Sequence, residues 1–203
     1  EVTIEKSGEM LPVKLRPGMG PFLRLGGLAA LAGSSSLCYQ AGNLQHGTCK
    51  DYYPNGQVMS EAEWKDHRFH GAYKGYDEQG VLSMTGEFDK GKKTGEWLIY
   101  APGSSKTLQR KEHYKLVNGE SVAHGDIEFY YPNGSLQQVD RYANGKIEEM
   151  MHFYQNGRIN LKAEYEAGVQ HGEMVLYDEN GVVKERKMYR DGKPVSEPSA
   201  RGQ

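Results

Sequence analysis

Histidine is the first residue type to weigh: the chain of 203 residues holds seven, and four of them share one setting. His46, His70, His124 and His171 each stand directly before a glycine. Repeated imidazoles invite a metal, and zinc wants its ligand nitrogens about 2.0–2.1 Å away. Copies of a hairpin repeat, however, lie two strands apart, roughly 10 Å at the usual strand spacing. One ion cannot bridge that ladder, so it reads as structural. His67 and His70 are closer, as His-x-x-His, but no third ligand accompanies them. Two cysteines, Cys38 and Cys49, are too few for a disulfide framework or a four-thiolate zinc site. No metal and no cofactor is expected.

Catalytic signatures are missing too. The chain has no Gly-x-Ser-x-Gly, His-Glu-x-x-His, phosphate loop or Cys-x-x-Cys. Glu61, Glu63, Glu87, Glu164 and Glu185 lie beside Lys and Arg in strand-like runs, as on a solvated face with cross-strand pairs. A glycosidase would need two carboxyls converging across a cleft, and a thin sheet offers none. The expectation is a protein that is not an enzyme.

Tyrosine carries the stronger signal, with 14 copies against five Phe and two Trp. Tyr52, Tyr76, Tyr100, Tyr130, Tyr154 and Tyr177 each follow a repeat start by six residues and would line one edge of a sheet near its turns. A tyrosine offers rigid area and a hydroxyl at low entropy cost, which suits a binding surface. These six are the candidate binding residues. The competing reading spends the same rings on packing between repeats.

What must position these residues is an array. The pairs His46-Gly47, His70-Gly71, Thr94-Gly95, His124-Gly125 and His171-Gly172 open similar segments, spaced by 24, 24, 30 and 47 residues. A degenerate start at Glu148-Glu149 divides the last gap. Turns follow at Pro54-Asn55-Gly56, Glu78-Gln79-Gly80, Pro132-Asn133-Gly134, Gln155-Asn156-Gly157 and Glu179-Asn180-Gly181, and eight residues later stand Trp64, Phe88, Tyr142, Tyr165 and Tyr189. Each unit reads as one β-hairpin, with period-2 alternation in Ile127–Tyr130 and Trp97–Tyr100. Asp77 and Asp178 favour a type I turn whose glycine makes a bulge. A two-residue turn would set Trp64, Phe88, Tyr142 and Tyr189 opposite Gly47, Gly71, Gly125 and Gly172; with the bulge they would face the neighbouring histidines. Either way a ring lies beside a bare backbone it can cover.

The third repeat is longer, around Gly103-Ser104-Ser105 and Asn118-Gly119-Glu120, and that extra length forms a loop. No stretch of 46–192 has a helical stripe. The expected fold is therefore all-β: an elongated single-layer antiparallel sheet of about six consecutive β-hairpin repeats, without a closed globular core. An apolar content of 37%, below the usual 45–50% or so, fits so thin an object.

Runs such as Phe88–Trp97 and Tyr165–Glu173 resemble MORN (membrane occupation and recognition nexus) repeats, nearest to the bacterial variant in which Tyr-x-x-Asn-Gly alternates with Gly-Lys-x-His-Gly. The resemblance spans 46–192. It implies a repeat sheet with no enzymatic chemistry of its own, and many such bacterial chains are labelled antitoxin components.

Residues 1–45 differ in kind. Lys14, Arg16 and Arg24 precede an apolar run, Leu25–Ala32, and Ala30-Leu31-Ala32 offers a small-residue cleavage site before Gly33, the order of a secretory signal. Met10 would then be a natural start. The run is too short to span a membrane, and Ser35-Ser36-Leu37-Cys38 makes a poor lipid-attachment site. The other reading is an irregular cap over an open sheet edge. If the chain is exported, Cys38 pairs with Cys49. Residues 193–203 read as a disordered tail.

Basic and acidic residues number 25 and 27, a balance that argues against nucleic acid as a partner. The leading expectation is a non-catalytic scaffold binding a protein partner through its sheet face or tyrosine edge, with antitoxin action as one version. The alternative is an exported cell-envelope protein touching glycan or lipid headgroups. A net charge of −2 speaks against lipid in particular. Open sheet ends would also admit an end-to-end dimer.

Overall fold

The computed structural model describes the backbone of residues 2–6, 9–13, 22–25, 28–31, 36–41 and 44–195, and the side chains of residues 47–195. The Ala32–Gly33 cleavage site, the side chains of Cys38 and His46, and residues 196–203 lie outside the described residues. Strands β1 (Val2–Lys6) and β2 (Glu9–Val13) pair with each other as a separate hairpin. Strands β3 (Phe22–Leu25), β4 (Leu28–Leu31) and β5 (Ser36–Ala41) lead by antiparallel pairing into the array.

The array itself is β6 (Leu44–Tyr52), β7 (Val58–Lys65), β8 (Arg68–Tyr76), β9 (Leu82–Asp89), β10 (Lys92–Tyr100), β11 (Leu108–Val117) and β12 (Glu120–Ala123), followed by a second half. That half is β13 (Gly125–Tyr130), β14 (Leu136–Ala143), β15 (Lys146–Phe153), β16 (Ile159–Glu166), β17 (Val169–Tyr177), β18 (Val183–Arg190) and β19 (Lys193–Val195). The 14 strands make one open antiparallel sheet with no helix, as the hairpin pattern predicts. Residues 193–195, read from sequence as the start of a tail, pair with β18.

Two kinds of turn build the meander. Within five of the six repeats a type I turn closes on a glycine bulge: Tyr53 N–H donates to Gln57 O at 2.8 Å, and Gly56 N–H donates to Tyr53 O at 2.9 Å. Asp77, Tyr131, Tyr154 and Asp178 open their turns in the same way. Between repeats the loop has only two residues, such as Lys90-Gly91 and Asn144-Gly145, both at positive φ. That is the hairpin geometry matching the right-handed twist of the strands. A further one-residue shift, as between Asp51 and Tyr52, follows the glycine bulge. Together they leave Trp64, Phe88, Tyr142 and Tyr189 opposite Gly47, Gly71, Gly125 and Gly172, so the turn carries its glycine bulge but the rings do not face the neighbouring histidines. Gly71 and Gly172 sit at φ +96° and +101°, and a Cβ there would meet the carboxylates of Glu63 and Glu164.

Strand β11 absorbs the extra length of the third repeat. Its Tyr114–Val117 end pairs with β12 and its Arg110–Lys111 stretch with β13. A small side hairpin is thus inserted without breaking the main ladder.

Cys49 is disulfide-bonded and 2% exposed, and Cys38 is the one other cysteine of the chain. The backbone of Cys38 stands in β5, where Leu37 pairs with Lys50 of β6. Cys49→Ser is expected to cost about 2–4 kcal/mol of stability against the oxidised parent. Reductant should reproduce the shift in the parent and leave the variant unmoved in denaturant titrations; equal curves for all would show that the bond contributes nothing.

Candidate functional site

Cross-strand register divides the side chains of the array between two unlike faces. One face carries an unbroken row, one residue per pairing strand: Lys50, Glu61, Lys74, Thr85, Leu98, Lys111, Glu128, Val139, Met151, Lys162, Val175 and Arg186. Its charges close on one another. Lys50 meets Glu61 at 2.7 Å, Lys111 meets Glu128 at 2.8 Å, and Lys162 meets Glu149 at 2.8 Å. The ammonium of Lys50, donating to Glu61, holds that carboxyl below the ordinary carboxylate range.

The opposite face is aromatic. Large and small residues alternate along its central row, where Ala62 pairs with Tyr73 and Tyr73 with Gly86. Gly86 leaves room for the Trp97 ring, which lies where a Cβ would stand, and Trp97 is only 1% exposed. Five rings follow in contact. Trp64 and Phe69 have centroids 4.3 Å apart, Phe69 and Phe88 stack at 5.0 Å, and Phe88 meets Trp97 edge-on at 4.9 Å. Tyr73 closes the group at 5.6 Å from both Phe88 and Trp97. The indole N–H groups of Trp64 and Trp97 find no acceptor.

Cations continue the band. Lys93 Nζ sits 4.3 Å from the Trp97 centroid and 5.3 Å from that of Tyr114, and the Arg110 guanidinium lies 5.8 Å from Phe129. In the same row as Ala62 and Gly86 two acids are buried. Glu112, 5% exposed, forms an ion pair with Arg110 at 2.8 Å and accepts from the Tyr114 hydroxyl at 3.2 Å. Asp140, 7% exposed, accepts from Gln138 Nε2 at 2.9 Å.

The six tyrosines singled out from sequence do not form one set. Tyr52, Tyr76, Tyr100, Tyr130 and Tyr177 share a register position, pairing with Val58, Leu82, Leu108, Leu136 and Val183 across the last rung before each turn. They belong to the charged face, where the Tyr76 hydroxyl donates to Glu61 at 3.2 Å and that of Tyr130 to Glu128. Burial pushes the phenols of Tyr52, Tyr76 and Tyr130 up. Phe153, pairing with Ile159, holds the fifth place in this row. Tyr154 instead opens its turn, as Tyr53 and Tyr131 do. The cause is a smaller bulge: β15 goes from Tyr142–Ile147 to Arg141–Glu149 with one extra residue, whereas β8 fits three residues between Phe69 and Tyr73. Counting six residues from Glu148 therefore lands one place late.

These turn-opening tyrosines have a job of their own that was not read from sequence. Each hydroxyl donates to the backbone of the next repeat: Tyr53 to Tyr76 O at 2.8 Å, Tyr131 to Phe153 O at 2.9 Å, and Tyr154 to Tyr177 O at 2.8 Å. The doubled aromatic before the turn, as in Tyr52-Tyr53, was the available signal. Two of the four repeat-start histidines lie beside carboxylates. His70 Nδ1 pairs with Asp89 at 3.1 Å, and His171 lies within 3.7 Å of Glu166 and Asp191.

Between the third and fourth turns lies a cleft of about 520 Å³, bordered by Ala101, Arg110, Phe129, Tyr130, Tyr131 and Gln137, among others.

No curated protein matches the chain. Among solved structures, a chain in the crystal structure of the GtfA/B complex bound to UDP and GlcNAc aligns with 74% of this chain, at 11% identity and a TM-score of 0.25. This chain spans 28% of that one. The MORN repeat variant family matches at residues 45–66, 123–144 and 170–197, which are the first, fourth and sixth hairpins. Repeats of this kind are commonly non-catalytic modules that bind proteins or membranes. The first, fourth and sixth hairpins are thus similar to the MORN repeat variant, the family that the sequence pattern resembles.

Proposed function

We propose that this chain is a non-catalytic repeat scaffold that binds a protein partner, and that the aromatic face is where it does so. The observation behind this reading is the five-ring group of Trp64, Phe69, Tyr73, Phe88 and Trp97 on a single-layer sheet. Four of these rings keep part of their surface in solvent. Trp, Tyr and Arg dominate the energetics of protein interfaces, and Lys93 lies over the Trp97 ring. The charged face is the weaker candidate, since its ion pairs already satisfy one another. In this reading Tyr52, Tyr76, Tyr100, Tyr130 and Tyr177, on the charged face, stand outside the contact, and toxin neutralisation would be one form of such binding.

The test is retention of a partner from native extract on the immobilised full chain. Phe69→Gln, at a half-buried ring, is expected to lower retention at least tenfold while circular dichroism stays that of the parent. Lys74→Gln, on the charged face, should retain the partner. Equal capture by both variants would sink the assignment to the aromatic face.

A second reading, export to the cell envelope, is favoured by the Cys49 disulfide, because such bonds persist in oxidising compartments. The N-terminus of the mature protein from cell fractions decides it: a chain beginning at Gly33 in the envelope fraction supports export, and an uncleaved cytosolic chain removes it.

A further inference from the structure

The five junctions between successive turns are not alike. At three of them a tyrosine opens the first turn and hydrogen-bonds the backbone carbonyl of the residue just before the next turn: Tyr53 to Tyr76, Tyr131 to Phe153 and Tyr154 to Tyr177. Asp77 replaces that tyrosine at the second junction and spends its carboxylate on its own turn, accepting from Gln79 N–H at 3.0 Å and Val81 N–H at 2.8 Å. Ala101 holds the same place at the third junction, since its N–H closes the longer turn onto Thr107 O at 2.8 Å. A methyl group reaches nothing across the gap. By the pattern of the other junctions the acceptor there is the carbonyl of Tyr130, and Ala101 and Tyr130 both border the cleft of about 520 Å³.

We propose that this cleft receives a tyrosine side chain from the partner protein, which supplies in trans the clasp that Ala101 withholds. The chemistry of the walls fits a phenol. Phe129 and Tyr131 offer ring surface, and Leu108 adds an aliphatic wall. Arg110 and Gln137 stand at the border with donors for the backbone of the segment carrying the tyrosine. The volume exceeds what one ring fills and lies within the range of small-ligand sites, roughly 300–1,000 Å³. The proposal rests on the protein-binding reading above and adds to it the residue type that the partner presents.

Two capped amino acids probe the cleft in the full chain: N-acetyl-tyrosine amide and N-acetyl-phenylalanine amide, followed by heteronuclear NMR. The tyrosine probe should saturate shifts at Arg110, Phe129 and Gln137 and bind about fivefold more tightly than the phenylalanine probe, the worth of one hydroxyl hydrogen bond. Ala101→Tyr should fill the site from within, raising the melting temperature and abolishing probe binding. Phe129→Leu, which trims the ring wall and keeps an apolar residue, should weaken the tyrosine probe without unfolding the sheet. Equal binding of the two probes, no saturation, or unchanged binding to Ala101→Tyr would each overturn the proposal. The natural partner retained in full by Ala101→Tyr would overturn it too, while leaving the aromatic-face reading standing; a partner never retained by the parent chain would remove that reading instead.

Discussion

Gly86→Val is expected to be among the most damaging single substitutions in the array, because the Trp97 ring already occupies the position of the new Cβ. Trp97 cannot swing aside cheaply. Phe88 and Tyr73 hold it within 4.9 and 5.6 Å, Lys93 covers it at 4.3 Å, and it is 1% exposed. Driving the ring out forfeits most of its burial, on the order of 3–5 kcal/mol by comparison with truncating a buried Trp or Phe. That is a large share of the 5–15 kcal/mol or so that holds an ordinary domain folded. Trp97→Ala should cost about the same, for the same lost contacts. The double variant should cost much less than the two losses added, since valine then grows into the space the indole leaves. Denaturant midpoints of the four proteins measure this coupling. Strict additivity would show that Gly86 and Trp97 do not depend on each other.

High pH should unfold the protein more readily than a carboxylate-dominated fold would allow. Burial pushes seven phenols above their ordinary value: Tyr52, Tyr73, Tyr76, Tyr114, Tyr130, Tyr142 and Tyr165. The folded chain therefore keeps protons that the unfolded chain releases near the ordinary tyrosine value of about 10. Stability is whole below that pH and falls as pH climbs through and beyond it. Lys50, Lys111 and Lys162 act in the same direction, raised by their hydrogen bonds to Glu61, Glu128 and Glu149. On the acid side Glu61 works in the opposite sense: its depressed value adds stability above the ordinary carboxylate range that is lost as pH falls through the folded value. Urea midpoints should hold level to about pH 9 and drop steeply above about pH 10, with tyrosinate absorbance rising in step with unfolding. A level midpoint to about pH 11 would mean that these phenols titrate freely in the folded sheet.

Much of this fold is legible in one dimension because each element is local. A hairpin repeat is specified by a turn glycine, an alternating strand and a partner strand only a few residues away, so its periodicity survives in the sequence. The opposition of Trp64 and Gly47 was visible as one of two registers, and the second shift at Asp51/Tyr52 selects it. The candidate site was less legible. Tyr154 looked like a member of the tyrosine row because residue counting cannot see that β15 carries a smaller bulge than β8. Tyr53 and Tyr131 went unnoticed since their partners are carbonyls, which any residue supplies.

The amino-acid sequence by itself determined the number of hairpins, their order, the places of their turns and the absence of recognisable catalytic motifs, all of which depend on contacts between near neighbours. Tertiary structure alone decided which side chains share a face. Facing follows from the bulges, since slipping a strand's pairing by one residue moves its side chains to the other side. It alone also decided where the Trp97 ring rests on Gly86 and where a missing tyrosine leaves a cleft, because both depend on atoms brought together from different strands or successive repeats.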